Sequence, residues 1–161
     1  MLLAVALMAT ACGSGSSQSI ATSSPASTPS AVESVAPDLN VTATAEDYTD
    51  KPPPAGAVVM TMANFMFTPS LPAAATGSKI VIYIDNKDPE KNDCADGSNI
   101  CHIHALLVLG PRGAALGKTA DVLPGHQAVL TLDGMRPGIF KFYCPVGFHK
   151  DAGMVGRLTV S

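Results

Sequence analysis

Residues 140–160 read FKFYCPVGFHKDAGMVGRLTV. Two runs of aromatic, β-branched and other apolar residues, Ile139–Cys144 and Met154–Val160, flank a loop that carries proline, glycine and charge. Short runs of this kind between turn residues predict two adjacent strands joined by a hairpin loop. Cys144, His149 and Met154 stand in this hairpin with the spacing C-x4-H-x4-M. Singly, each has an ordinary use: a buried thiol, a surface loop histidine, a packing methionine. Together they place three different soft or borderline metal ligands at the ends of two neighbouring strands.

The same texture continues upstream. Val58–Phe67, Lys79–Ile84, Ile103–Leu109 and Gln127–Leu132 are further strand candidates. They are punctuated by Thr68-Pro69, Thr76-Gly77, Gly110-Pro111, Pro124-Gly125, Asp133-Gly134 and Pro137-Gly138. No stretch sustains a 3.6-residue period. The prediction for 58–161 is an all-β domain, a Greek-key β-sandwich or barrel of about 7–8 strands. The polar stretch Asn86–Ile100 reads as a long surface loop.

A thiolate, an imidazole and a thioether suit copper better than zinc, calcium or magnesium. A trigonal His2Cys set with a weak axial Met needs one more histidine. The chain offers His102 and His104 at the start of the apolar strand Ala105–Leu109. Both have the same parity, so strand alternation does not choose between them.

Residues 140–160 resemble the C-terminal signature of the cupredoxins, the type 1 copper proteins of the plastocyanin–azurin group. The loop is similar in length to those of auracyanin, rusticyanin and the phytocyanins. Asn64-Phe65-Met66-Phe67-Thr68-Pro69 resembles the first-strand motif of bacterial cupredoxins, and Ile82-Tyr83-Ile84-Asp85-Asn86 the strand before the first ligand. The resemblance covers 58–161. It implies one copper per chain held by His104, Cys144, His149 and Met154, with His102 as the alternative first ligand, since His104-Ala105-Leu106-Leu107-Val108 aligns better. Ala105 departs from the pattern: the family's Asn or Ser there hydrogen-bonds across to the ligand-Cys loop. The implied function is electron transfer by cycling Cu(I) and Cu(II), with no catalytic residues and no substrate turnover. His149 is expected at the surface as the electron port, with Pro145, Val146, Gly147 and Phe148 as an apolar rim for weak, transient encounters with redox partner proteins. The alternative is an extracytoplasmic copper carrier or buffer on the same ligands. Copper oxidases and nitrite reductases need a second such domain, for which the 104 residues of 58–161 leave no space.

Cys94 and Cys101 bracket six residues of the polar loop. In an exported protein such a pair is expected as a disulfide, with extra Cu(I)-binding thiols as the other reading. Export is suggested by residues 1–12, MLLAVALMATAC, an apolar run ending in small residues. Ala9-Thr10-Ala11-Cys12 resembles a bacterial lipobox, which implies lipidation of Cys12 and a lipid anchor in a membrane; a cleaved signal with an incidental Cys12 is the alternative. In 13–57, Ser, Thr, Ala, Pro and Gly fill 31 of 45 positions, and Val, Ile, Leu, Met, Phe and Tyr only six. That composition predicts a disordered linker. The expected product is a monomer, extracytoplasmic and anchored or periplasmic.

The chain's net charge of −3 comes from this tail; 58–161 carries nine Lys/Arg against eight Asp/Glu. There is no basic block, so nucleic-acid binding has no support. No phosphate-cradling glycine motif occurs. No apolar run reaches the roughly 18–20 residues of a membrane-spanning helix, which excludes a multi-pass helical protein.

Overall fold

A computed structural model describes residues 40–161 apart from Ala74. The segment 1–12 with Cys12, and 13–39 of the expected linker, lie outside the described residues. Nine strands are formed among the described residues: β1 Thr42–Asp47, β2 Val58–Ala63, β3 Met66–Thr68, β4 Lys79–Asn86, β5 Leu107–Leu109, β6 Ala115–Lys118, β7 Gln127–Asp133, β8 Gly138–Tyr143 and β9 Val155–Val160. One sheet has the order β1-β7-β4-β2-β3, the other β6-β5-β8-β9. The chain passes from the first sheet to the second after β4, returns as β7 between β1 and β4, and crosses again to β8–β9. This is the expected two-layer Greek-key sandwich.

Side-chain alternation decides what faces the interior. On β8, Phe140 and Phe142 are buried while Lys141 is exposed, and Cys144 continues the inward series. Val108 on β5 and Leu106 just before it are buried, and His104 precedes them in the same parity. Leu158 and Val160 are buried on β9, with Met154 in step before them. Three inward-facing series therefore end in His104, Cys144 and Met154. The opposing layer supplies Met60, Met62, Ile80, Ile82, Ile84, Leu130 and Leu132. Phe67 of β3 meets Phe142 edge-on at 5.1 Å between centroids, a favoured aromatic geometry.

Gly156 breaks the series on β9 for a steric reason. A methyl group there would run into the Phe142 ring and the Ser70 carbonyl oxygen. Gly156→Ala is therefore expected to cost about 1–3 kcal/mol of stability, as overpacking does. A denaturant midpoint within error of wild type would show that the β3–β9 edge yields instead.

Four expectations need correction. The linker was expected to run through residue 57, yet β1 pairs with β7 over six register positions, Thr42↔Asp133 to Asp47↔Ala128. Every residue of β1 is exposed, so it is held by backbone pairing and carries no buried apolar signal. Second, the Val58–Phe67 run is two strands. Ala63↔Met66 close a hairpin whose turn residues Asn64 and Phe65 both have positive φ, 49° and 58°, as a type I′ turn requires. Third, β6 was not anticipated, which with the hairpin and β1 raises the count above 7–8. Its Gly117 leaves no room for a side chain, since a Cβ would approach Leu132 to 2.7 Å and Ala43 to 2.8 Å. Fourth, Ile103–Leu109 is regular only over β5; His104 is instead joined to Val122 by an isolated antiparallel bridge.

Candidate metal centre

His104 is fixed by its backbone first. Its N–H donates to the Val122 carbonyl (3.1 Å), and its own carbonyl accepts from the Val122 N–H (2.6 Å). Thr119 secures the chain two residues on: the Leu106 N–H donates to Thr119 Oγ1 at 3.0 Å. Cys144 follows the last residue of β8, and its N–H donates to the Met154 carbonyl at 3.1 Å. The loop between them is tightly bonded. The His149 N–H donates to Val146 O (3.1 Å), Ala152 N–H to Phe148 O (3.0 Å) and Met154 N–H to His149 O (2.9 Å). Gly147 and Gly153 supply positive φ at the two bends.

These anchors bring three donors together. His104 Nδ1 lies 3.1 Å from His149 Nδ1, and Cys144 Sγ lies 3.4 Å from His149 Nδ1 and 4.0 Å from His104 Nδ1. A circle through the three atoms has a radius of about 2.1 Å, the length of a metal–nitrogen bond. All three side chains are fully buried. His149 Nε2 is buried without a hydrogen-bond partner. Two imidazoles and a thiol, crowded together in an apolar shell, form a donor set that a soft or borderline cation would satisfy. Met154 is fully buried at the end of the same loop.

Burial sets the protonation state. It pushes the Cys144 thiol above its ordinary value, against the Ala105 N–H that donates to the sulfur at 3.4 Å. Burial likewise lowers His104, opposed by the Asp88 carboxylate. His149 is pushed down to about 4, mainly by burial and then by the neighbouring His104 ring. At neutral pH both imidazoles are thus uncharged, as a metal ligand must be.

His102 is not part of this group. Its Nε2 is 2.6 Å from Asp93 Oδ1, and it stands beside Cys94 and Cys101. Those two cysteines form a disulfide, as expected, leaving Cys144 as the free cysteine among the described residues.

The electron-port expectation needs correction. His149 has no exposed surface. The ring of Phe65 covers it edge-on at 4.9 Å, and Phe148 packs against both, 5.5 Å from His149 and 5.3 Å from Phe65. Of the expected rim, Gly147 and Phe148 are exposed, Pro145 is half-buried and Val146 is buried. The surface above the site is therefore Phe148, 54% exposed, with Ile100, 38% exposed, close to Gly147. A loop position suggested exposure; the hairpin turn at Asn64-Phe65, hidden inside a run read as one strand, removes it.

Two further residues went unrecognised because they lie where β4 runs into a loop read as surface. Asn86 and Asp88 are buried, 0% and 6% exposed. Asp88 Oδ2 is 2.6 Å from His104 Nε2.

No protein-family model matches the chain, and no curated protein matches it. Solved structures do. Reduced auracyanin from the photosynthetic bacterium Roseiflexus castenholzii superposes with a TM-score of 0.52 at 17% identity, covering 68% of this chain and 99% of that one. An auracyanin B structure gives 0.51 at 19% identity, covering 74% and 97%. The chain has the cupredoxin fold, complete with a His/Cys/His cluster and a neighbouring Met at one pole of the sandwich.

Proposed function

We propose that this chain is a type 1 blue copper electron-transfer protein. The carrying observation is the buried triangle of His104 Nδ1, Cys144 Sγ and His149 Nδ1. These three would hold one copper, and the nearby Met154 thioether could serve as a further, weaker donor. Copper supplies a one-electron Cu(I)/Cu(II) couple. The protein's part is to hold the donors in place before the metal arrives. Strand alternation and the bonded hairpin loop do this. Phe65, Phe148 and Val146 exclude water, and Ala105 N–H tempers the charge on the sulfur.

Complete burial of the donors favours a resident redox centre over an exchangeable cargo site. Phe148 would make the contact with redox partners, in a small apolar patch suited to brief encounters. The disulfide fits an oxidising, extracytoplasmic compartment. Cys12, if lipidated, would tether the domain at a membrane surface, and residues 13–39 would give it reach.

The test is the visible absorption and EPR spectrum of the full chain titrated with Cu(II). An intense copper–thiolate band with narrow copper hyperfine splitting at one equivalent is expected. A weak, ordinary cupric spectrum would overturn the type 1 assignment. Reduction followed by tight Cu(I) retention, without reversible electron exchange, would make the protein a copper carrier.

A further inference from the structure

Asp88 sits at a junction that the ligand set alone does not explain. It is a buried carboxylate whose oxygens each make one close hydrogen bond, with His102 Nδ1 farther off at 3.9 Å from Oδ2. Oδ2 lies 2.6 Å from His104 Nε2, and Oδ1 accepts the Asn64 N–H at 3.0 Å. Its own N–H donates to Asn86 Oδ1 at 3.0 Å. Asn86 Nδ2 in turn donates to the carbonyls of His102 (2.7 Å) and Val122 (2.8 Å). The end of β4 thereby grips both backbone segments that pair around His104, the imidazole itself, and the turn that aims Phe65 at His149.

The bonding pattern assigns the tautomer. A carboxylate only accepts, and a neutral imidazole carries a single N–H. With that proton at Nε2, His104 Nδ1 presents a lone pair to Cys144 and His149. The same lone pair faces His149 Nδ1 at 3.1 Å and Cys144 Sγ at 4.0 Å. The same carboxylate holds a costly conformation. Phe65 is an aromatic residue at φ 58°, a region that bulky side chains rarely adopt unless the surroundings impose it.

We propose that Asp88 is the positioning residue of the metal centre: one oxygen fixes the Nε2–H tautomer of His104, and the other holds the Asn64–Phe65 turn closed over His149. The carboxylate also raises the basicity of the ligand and stabilises the higher-charged metal, Cu(II), more than Cu(I).

The electrochemical part rests on the copper reading above; the tautomer and the turn belong to the chain itself and are tested separately. In Asp88→Asn, the amide oxygen serves one of the two donors but not both, and the charge is gone. Cu(II) affinity of the full chain, measured by competition with a chelator, is expected to fall 10–100-fold, with Cu(I) affinity changed by less than about threefold. A tenfold loss confined to Cu(II) corresponds to an upward potential shift of about 59 mV. Water relaxation by the Cu(II) protein is expected to rise as the Phe65 turn loosens, and to rise likewise in Phe65→Ala, which leaves both bonds of Asp88 intact. A folded Asp88→Asn with wild-type potential and affinities would overturn the proposal. Should that variant not fold, nitrogen NMR of the metal-free wild type decides. A protonated Nε2 on His104 supports the assignment, and a protonated Nδ1 refutes it. That measurement stands even where the wild type gives no type 1 spectrum, so the two readings fail separately.

Discussion

Replacement of Cys144 by Ser is expected to abolish the copper–thiolate band and leave the sandwich folded. Cys144 Sγ is the one donor of the triangle that can carry negative charge. Its hydroxyl replacement is harder and far less acidic, so it neither matches Cu(I) nor donates charge to Cu(II) in the visible region. The loss of Cu(II) affinity should exceed the 10–100-fold typical of an outer partner. The fold has little to lose. The side chain stays small, and the Ala105 N–H that now reaches the sulfur at 3.4 Å remains available to an oxygen. The metal-free stability cost is expected at no more than about 1–2 kcal/mol. Absorption, EPR and far-UV circular dichroism on the same sample check all of this. An intense visible band surviving in Cys144→Ser would remove the ligand assignment.

That prediction is possible from residues 140–160 because strand parity carries the chemistry. Phe140, Phe142 and Cys144 are one inward series, and a hairpin then returns His149 and Met154 to the same end. What the sequence hid was held by backbone or by buried polar bonds. β1 is exposed along its whole length, buries no apolar side chain and is held by its main-chain pairing with β7. The Asn64-Phe65 turn interrupts an apolar run without a glycine to announce it. Asn86 and Asp88 sit among Asp, Asn and Lys residues that read as solvated loop, yet they are buried against His104. Polar residues in a polar stretch give no periodic signal of burial. Their partners come from the tertiary fold, from the pairing of His104 with Val122 and from the Asn64 turn. The burial of His149 is illegible for a related reason: the ring that covers it comes from a turn 84 positions earlier in the chain.

Copper removal and acid should weaken the protein together, and copper should largely cancel the acid effect. In the metal-free chain, His149 takes its proton at about 4, against an ordinary value of 6.5. The unfolded chain therefore binds this proton at a pH where the native chain does not. Stability from His149 is fully present above 6.5 and is lost as pH falls from there toward 4. His104, also lowered by burial, acts in the same direction. Cys144 works at the other end: its raised value means that the unfolded chain ionises first, so stability is lost as pH climbs above 9.0. A maximum between those limits is expected for the metal-free protein. Copper at a thousand times its dissociation constant adds about 4 kcal/mol, which for a domain of this size is roughly 15–20 °C in Tm. Metal bound to both imidazoles occupies the sites that protons would take, so the acid limb should shift to lower pH on loading. Thermal unfolding of the metal-free and copper-loaded full chain across pH 4–9 measures both effects. Equal acid sensitivity of the two forms would mean that copper does not sit on His149, and the triangle of donors would have to be redrawn without it.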